Sequence, residues 1–122
     1  MALEGEYLGM GVYIDDLDHE HRAFFEHCGK HELCLQQCVS CGLKRYPPTT
    51  ACPFCAHPEA TWERVSGKGT VYSYGEVHHA IVGAFRPHTP YLLLLVELDE
   101  QRNEPNEFDV LRIHGNLASP GG

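Results

Sequence analysis

Residues 38–55 read CVSCGLKRYPPTTACPFC, which sets Cys38, Cys41, Cys52 and Cys55 in a C-x2-C-x10-C-x2-C array. Two residues between paired cysteines let a tight turn aim both sulfurs at one centre. Two such knuckles supply the tetrahedral thiolate set that structural Zn2+ sites use. Gly42 directly after Cys41 permits the backbone turn, and Pro53 stiffens the second knuckle. Four thiolates leave no coordination position for water or substrate, so the expected zinc is a structural staple and not a catalytic centre. A module of this size cannot build an adequate core, and metal binding would contribute folding free energy directly. Iron in the same geometry and a disulfide framework are the competing readings. Met1 to Met10 has neither the basic nor the apolar region of a secretory signal, so a reducing, cytoplasmic setting is expected, which favours metal over disulfides.

Outward from the array the texture changes on both sides. Toward the N-terminus, Leu17, His21, Phe24, Phe25 and Cys28 fall on one helical face, predicting an amphipathic helix from Asp15 to about His31. Asp15 or Asp16 serves as its cap, and Gly29 and Lys30 suit its end. The Phe24 and Phe25 face must cover either the rest of the chain or a partner. Cys28 reads as a core residue of that helix, and Cys34 as a small buried side chain on the strand entering the ribbon. Toward the C-terminus, Gly67 and Gly69 make a turn and Thr70–His78 reads as a strand. Residues 79–90 form a loop, and Tyr91–Leu98 reads as a strand buried on both faces. A polar loop to Glu107 and one more strand, Phe108–His114, precede Gly115. The expected organisation is an N-terminal segment with its helix (1–32), a ribbon (33–62) and a β-rich region (63–122).

The chain has 122 residues, 43% of them hydrophobic, which suits an ordinary folded protein with a modest core. Nine Lys and Arg against 17 Asp and Glu give a formal net charge of -8, which opposes binding to phosphate backbones or anionic membranes. The apolar run at Tyr91–Val96 is far shorter than the roughly 20 residues that span a bilayer. Signatures for phosphate loops, dinucleotide folds, nucleophile elbows and HExxH metalloproteases are all missing from the sequence.

Several side chains can carry ligand contacts. His78 and His79 end a strand and open a loop, where a ligand contact or a general base can sit. With no nucleophile or paired carboxylate recognisable beside them, a solvent-facing pair is the simpler reading. Lys44, Arg45, Lys68 and Arg86 are the few cations able to meet an anionic ligand, against the alternative of ordinary surface charge. His19, His21, His27 and His31 decorate the helix. His27 and His31 have the spacing of a metal pair, but with no other ligands of the right kind beside them a solvated helix face is the simpler reading. The acidic run at Asp15, Asp16, Asp18 and Glu20 is explained by capping.

The order of helix, four-Cys ribbon with Tyr46, Pro47 and Pro48 between its knuckles, and the segment WERVSGKGTVYSY at 62–74 resembles the OB-fold acyl-CoA-associated proteins with a rubredoxin-like zinc ribbon. The resemblance covers about Asp18 to Gly115. It implies a mainly β fold with an N-terminal helix, a zinc ribbon and then an OB-fold. It also implies a non-catalytic accessory subunit that docks on a thiolase-like enzyme, thiolase or retro-aldolase, stabilises it and helps enclose its acyl-CoA. A heterotetramer of two copies each is the implied arrangement, with partner contacts sought at Phe24, Phe25 and Phe85 and CoA contacts among the cations and histidines above. Members of the family continue past the Gly equivalent to Gly115 with further strands, so an incomplete barrel is expected here. The competing function is a single-stranded nucleic-acid binder using Tyr72, Tyr74 and Phe85 as stacking platforms, against which the net charge argues.

Overall fold

The structure, a computed structural model, describes residues 3–102, 104, 106 and 110–118. The Gly- and Tyr-rich start folds as a hairpin of β1 (Leu3–Tyr7) and β2 (Met10–Ile14). Its two-residue turn, Leu8-Gly9, takes positive φ at both positions (52° and 78°), the backbone twist that suits a tight hairpin. The sequence reading left this element out. Helix α1 (His19–Gly29) then begins four residues later than expected, because the cap is Asp18, whose carboxylate accepts from the His21 amide. Asp15 closes a turn ahead of the helix, accepting from Leu17 and Asp18, and Leu17 is left 84% exposed, outside the helix on whose face it was expected.

Strand β3 (Cys34–Cys38) is the centre of the ribbon sheet, flanked by β4 (Lys44–Arg45) and β5 (Ala60–Arg64). A second antiparallel sheet follows in meander order: β6 (Gly69–Val77), β7 (Tyr91–Leu98) and β8 (Arg112–Asn116). The ends of β7 fall where the sequence put them, but its expected burial on both faces does not hold. Leu93 is 42% exposed and only Leu98 is fully buried, since among the described residues little packs over this three-stranded sheet. β8 starts later than expected and runs through Gly115, which pairs with Leu94. Phe108 lies outside the described residues, and Val110 and Leu111 are buried just ahead of the strand.

One core joins the elements. Phe24 from α1, Leu35 from β3, Val65 after β5, Leu98 at the end of β7 and Leu111 before β8 pack together, with Trp62, Tyr46 and Cys28 half-buried against them. Polar clamps hold the ribbon to the second sheet. The Lys44 amide donates to Gln101 Oε1 at 2.8 Å while Gln101 Nε2 donates to the Lys44 carbonyl at 3.0 Å. The Ser66 amide donates to Glu100 Oε2 at 2.8 Å, which holds that carboxyl below its usual range. Gly69 lies so close to β7 that an added Cβ would meet the Glu97 carbonyl oxygen at 2.3 Å.

Two stability predictions follow from this packing. Leu35→Ala should cost about 2–5 kcal/mol for the transfer and cavity terms of a fully buried leucine. Gly69→Ala should cost about 2 kcal/mol or more because backbone, not a flexible side chain, must move. Urea unfolding followed by Trp62 fluorescence checks both, and a wild-type midpoint for Gly69→Ala would contradict the close approach.

Candidate metal centre and ligand cavities

The ends of β3 and the loop beyond β4 bring two knuckles together. They are built alike. In the first, the Cys38 amide donates to the Leu43 carbonyl (3.0 Å) and the Gly42 amide to the Cys38 carbonyl (3.0 Å). In the second, the Cys52 amide donates to His57 and the Ala56 amide to Cys52, both at 2.9 Å. The residue after the second cysteine of each pair is left-handed, Gly42 at φ 77° and Ala56 at φ 66°. Glycine adopts that conformation freely, whereas alanine does so at a cost of about 1 kcal/mol. The loop between the knuckles is fixed by Gln36, whose buried amide exchanges two hydrogen bonds with the Thr49 backbone (2.8 and 3.0 Å) as a second strand would.

The four sulfurs of Cys38, Cys41, Cys52 and Cys55 all lie within 4.8 Å of one another. Cys38 Sγ is 3.5 Å from Cys55 Sγ, and Cys41 Sγ is 3.6 Å from Cys52 Sγ. A tetrahedral ion with metal–sulfur bonds of about 2.3 Å spaces its ligands at about 3.8 Å, so the cluster fits a metal and is too open for disulfides. Backbone amides already point at the sulfurs, from Cys41 to Cys38 Sγ at 3.5 Å and from Phe54 to Cys52 Sγ at 3.4 Å. The Cys41 amide in particular favours the thiolate at Cys38 and brings its pKa down to about 6. At Cys52, burial opposes ionisation, but the amides of Cys55 and Phe54 outweigh it and lower the pKa. At Cys41 the Leu43 amide favours the thiolate, yet burial and sharing of its proton with Cys52 and Cys38 prevail and push it up to about 11. Such a set sheds protons in turn as a cation arrives.

The remaining candidate residues separate into distinct places. Phe24 is only 7% exposed and belongs to the core, while Phe25 is 44% exposed and edge-on to it. Phe25 lines an apolar groove of about 550 Å³ together with Tyr7, Val12, Tyr13 and Ile14 of the hairpin. Lys44 and Arg45 share a cavity of about 160 Å³ with Arg112 and Phe54. Arg45 is 4% exposed, so it is no ordinary surface charge. Its Nη2 reaches the Thr49 carbonyl (3.3 Å), while Nε and Nη1 find no partner among the described residues. His79 and Phe85 line a third cavity, about 290 Å³, with Val77, Ile81, Val82 and Tyr91. Phe85 rings with Tyr7 and Tyr91 at 5.9 and 5.7 Å, tying this loop to the hairpin. His78 is exposed beside Glu76 at 3.5 Å, Lys68 is exposed in its turn, and Arg86 Nε caps the Ala80 carbonyl. Arg112 and the hairpin tyrosines were not singled out from the sequence, although the two five-residue arms around Leu8-Gly9 carry a hairpin signal.

Comparison with known proteins agrees with this geometry. Residues 62–120 match the family model described as ChsH2, C-terminal OB-fold domain. A solved structure, the Ltp2-ChsH2(DUF35) aldolase, superposes with a TM-score of 0.67 at 30% identity, covering 87% of this chain and 75% of that one. The chain belongs to the DUF35 family of OB-fold proteins. This DUF35 chain is also 36% identical over 74 residues to a DUF35 domain-containing scaffold protein of Methanocaldococcus jannaschii, covering 58% of this chain and 52% of that protein. It is 34% identical over 84 residues to a probable enoyl-CoA hydratase alpha subunit of Thermomonospora curvata, covering 69% of this chain and 26% of that protein. It thus spans about half of one curated relative and about a quarter of the other. The expected mainly β fold, with one helix, a ribbon-like cluster of four cysteines and then an OB-fold domain, is the fold of this DUF35 chain.

Ala56→Gly should raise stability by about 0.5–1 kcal/mol, since it relieves the left-handed alanine. Metal analysis of purified protein should find one tightly held equivalent at the four sulfurs. Cys38→Ser should lose that equivalent and with it the ordered ribbon, whereas a Cys38→Ser protein that keeps metal and native unfolding would contradict the site.

Proposed function

We propose that this chain is a non-catalytic accessory subunit: it docks on a thiolase-like enzyme, thiolase or retro-aldolase, stabilises it and helps enclose its acyl-CoA. The observation that carries the reading is the superposition on the Ltp2-ChsH2(DUF35) aldolase across most of the chain. The naming of one relative as a scaffold protein and of another as a hydratase subunit supports the same assignment. The candidate residues of this chain form no nucleophile–base constellation among those described, which favours a supporting role over a catalytic one.

In this reading Cys38, Cys41, Cys52 and Cys55 hold a structural Zn2+, which supplies rigidity and takes no part in chemistry. A reducing, cytoplasmic setting would keep these cysteines available as metal ligands. The partner surface is the hairpin and the outer side of α1, where Tyr13, 71% exposed, lines a groove with Phe25, and it continues through Phe85 to Ile81 at 87%. An exposed apolar area of this extent marks a protein contact more often than a free surface. The acyl-CoA phosphates fit the cavity of Lys44, Arg45 and Arg112, where a buried guanidinium has donors to spare. Lys68, His78, His79 and Arg86 are exposed and lie outside that cavity, with roles at most at its approaches. The nucleic-acid reading is weakened at Tyr72, because Arg112 lies over its ring at 3.8 Å and occupies a stacking face.

The test is a tagged purification from the source cell with mass spectrometry of what co-elutes. Recovery of a thiolase-like subunit in stoichiometric amount is the expected result, and nucleic acid or ribosomal proteins in its place would overturn the proposal. Within the complex, Lys44→Ala should raise KM for acyl-CoA by about fivefold, roughly 1 kcal/mol of lost charge interaction, and leave assembly intact. His78→Ala should leave both unchanged.

A further inference from the structure

A second group of metal-ligating side chains lies away from the four-cysteine cluster, where α1 ends and the chain turns into β3. His31 is left-handed (φ 60°), and its amide donates to the Cys28 carbonyl at 2.9 Å while the Glu32 amide donates to the His27 carbonyl at 3.1 Å. This turn brings His27 to Glu32 and Cys34, and leaves His31 exposed at the corner. One ligand atom from each of His27, Glu32 and Cys34 lies within 4.8 Å of the others.

Two further observations single the group out. His27 Nδ1 is buried and has no hydrogen-bond partner among the described residues, an arrangement that proteins rarely leave uncompensated. The ring is also held, packed against Trp62 with centroids 5.7 Å apart. Cys34 is buried at 3% exposure, and its thiol donates to Glu32 Oε2 at 4.0 Å, the outer limit of a thiol hydrogen bond. A thiolate and a carboxylate would balance the charge of a divalent ion. One nitrogen, one sulfur and one oxygen make a set that zinc-class ions accept. Half-buried Glu32 and His27 leave a route in from solvent.

We propose that His27, Glu32 and Cys34 form a second metal site, taking a zinc-class divalent cation through Nδ1, a carboxylate oxygen and Sγ, with the fourth position open to water or an exogenous ligand. This site is independent of the docking function and of the identity of the metal in the ribbon. It differs from the ribbon site in having one sulfur instead of four, so it binds more weakly and exchanges faster.

Trp62 is the sole tryptophan of the chain and lies against His27, which makes it a local reporter. Purified protein with its ribbon metal in place is titrated with Co2+, whose paramagnetism quenches a nearby indole. Saturable quenching by one added equivalent is expected, with loss of that quenching in both His27→Gln and Cys34→Val while ribbon metal content stays at the wild-type level. Cys34→Val keeps the buried volume apolar. Should it fail to fold, His27→Gln, at a half-exposed position, decides alone. Absence of saturable quenching in the wild type, or equal quenching in His27→Gln, would overturn the site.

Discussion

The convergence of four sulfurs within 4.8 Å is the constraint on which the remaining structure depends. It closes a loop that carries Tyr46, Pro47 and Pro48, and it fixes both ends of that loop against β3. Among the described residues five side chains form the buried hydrophobic cluster, and Leu35 from β3 is one of them. A core that small offers a few kcal/mol per side chain and must also offset the ordering of the whole chain. A metal held at the knuckles would add stability directly to the strand that supplies Leu35.

From that strand the order propagates outward. β5 pairs with β3 and delivers Val65, after which the Gly67 turn and Gly69 lead into the second sheet. Gln101 and Glu100 then reach back from the end of β7 to the backbone of Lys44 and Ser66, so that ribbon and OB sheet are joined by hydrogen bonds as well as by the shared core. The same clamp brings Arg112 of β8 beside Arg45 and builds a cationic cavity at the seam. The hairpin and the outer side of α1, by contrast, end in exposed apolar side chains. Packing is thus concentrated at the ribbon, and exposed apolar surface at the edges.

How much of this was legible in the sequence depended on the range of the interactions. The cysteine array is local, and the convergence of its four sulfurs could be read from the two-residue spacings. Strand β7 was equally plain as an apolar run, but its burial was not, because burial depends on what packs over a sheet. The helix start was misplaced because Asp15, Asp16 and Asp18 are all competent caps, and the choice falls to the turn that Asp15 closes. Phe24 and Phe25 are adjacent and chemically identical, and only the tertiary packing turns one inward and the other out. Arg45 reads as a surface charge in any window of sequence, and its burial is a product of the seam with β8. The pairing of His27 with Glu32 and Cys34 follows from the left-handed turn at His31, which no propensity would assign to histidine in advance. The family resemblance carried the OB assignment that the strand pattern alone did not.

Under the proposed function this chain works as one component of an enzyme assembly. The most direct test is the mass of the reconstituted complex by sedimentation equilibrium, using the purified metal-loaded chain and the thiolase-like subunit encoded in the same cell. The account predicts a single species whose mass equals two copies of each protein. Two proteins that sediment independently at micromolar concentration would contradict it.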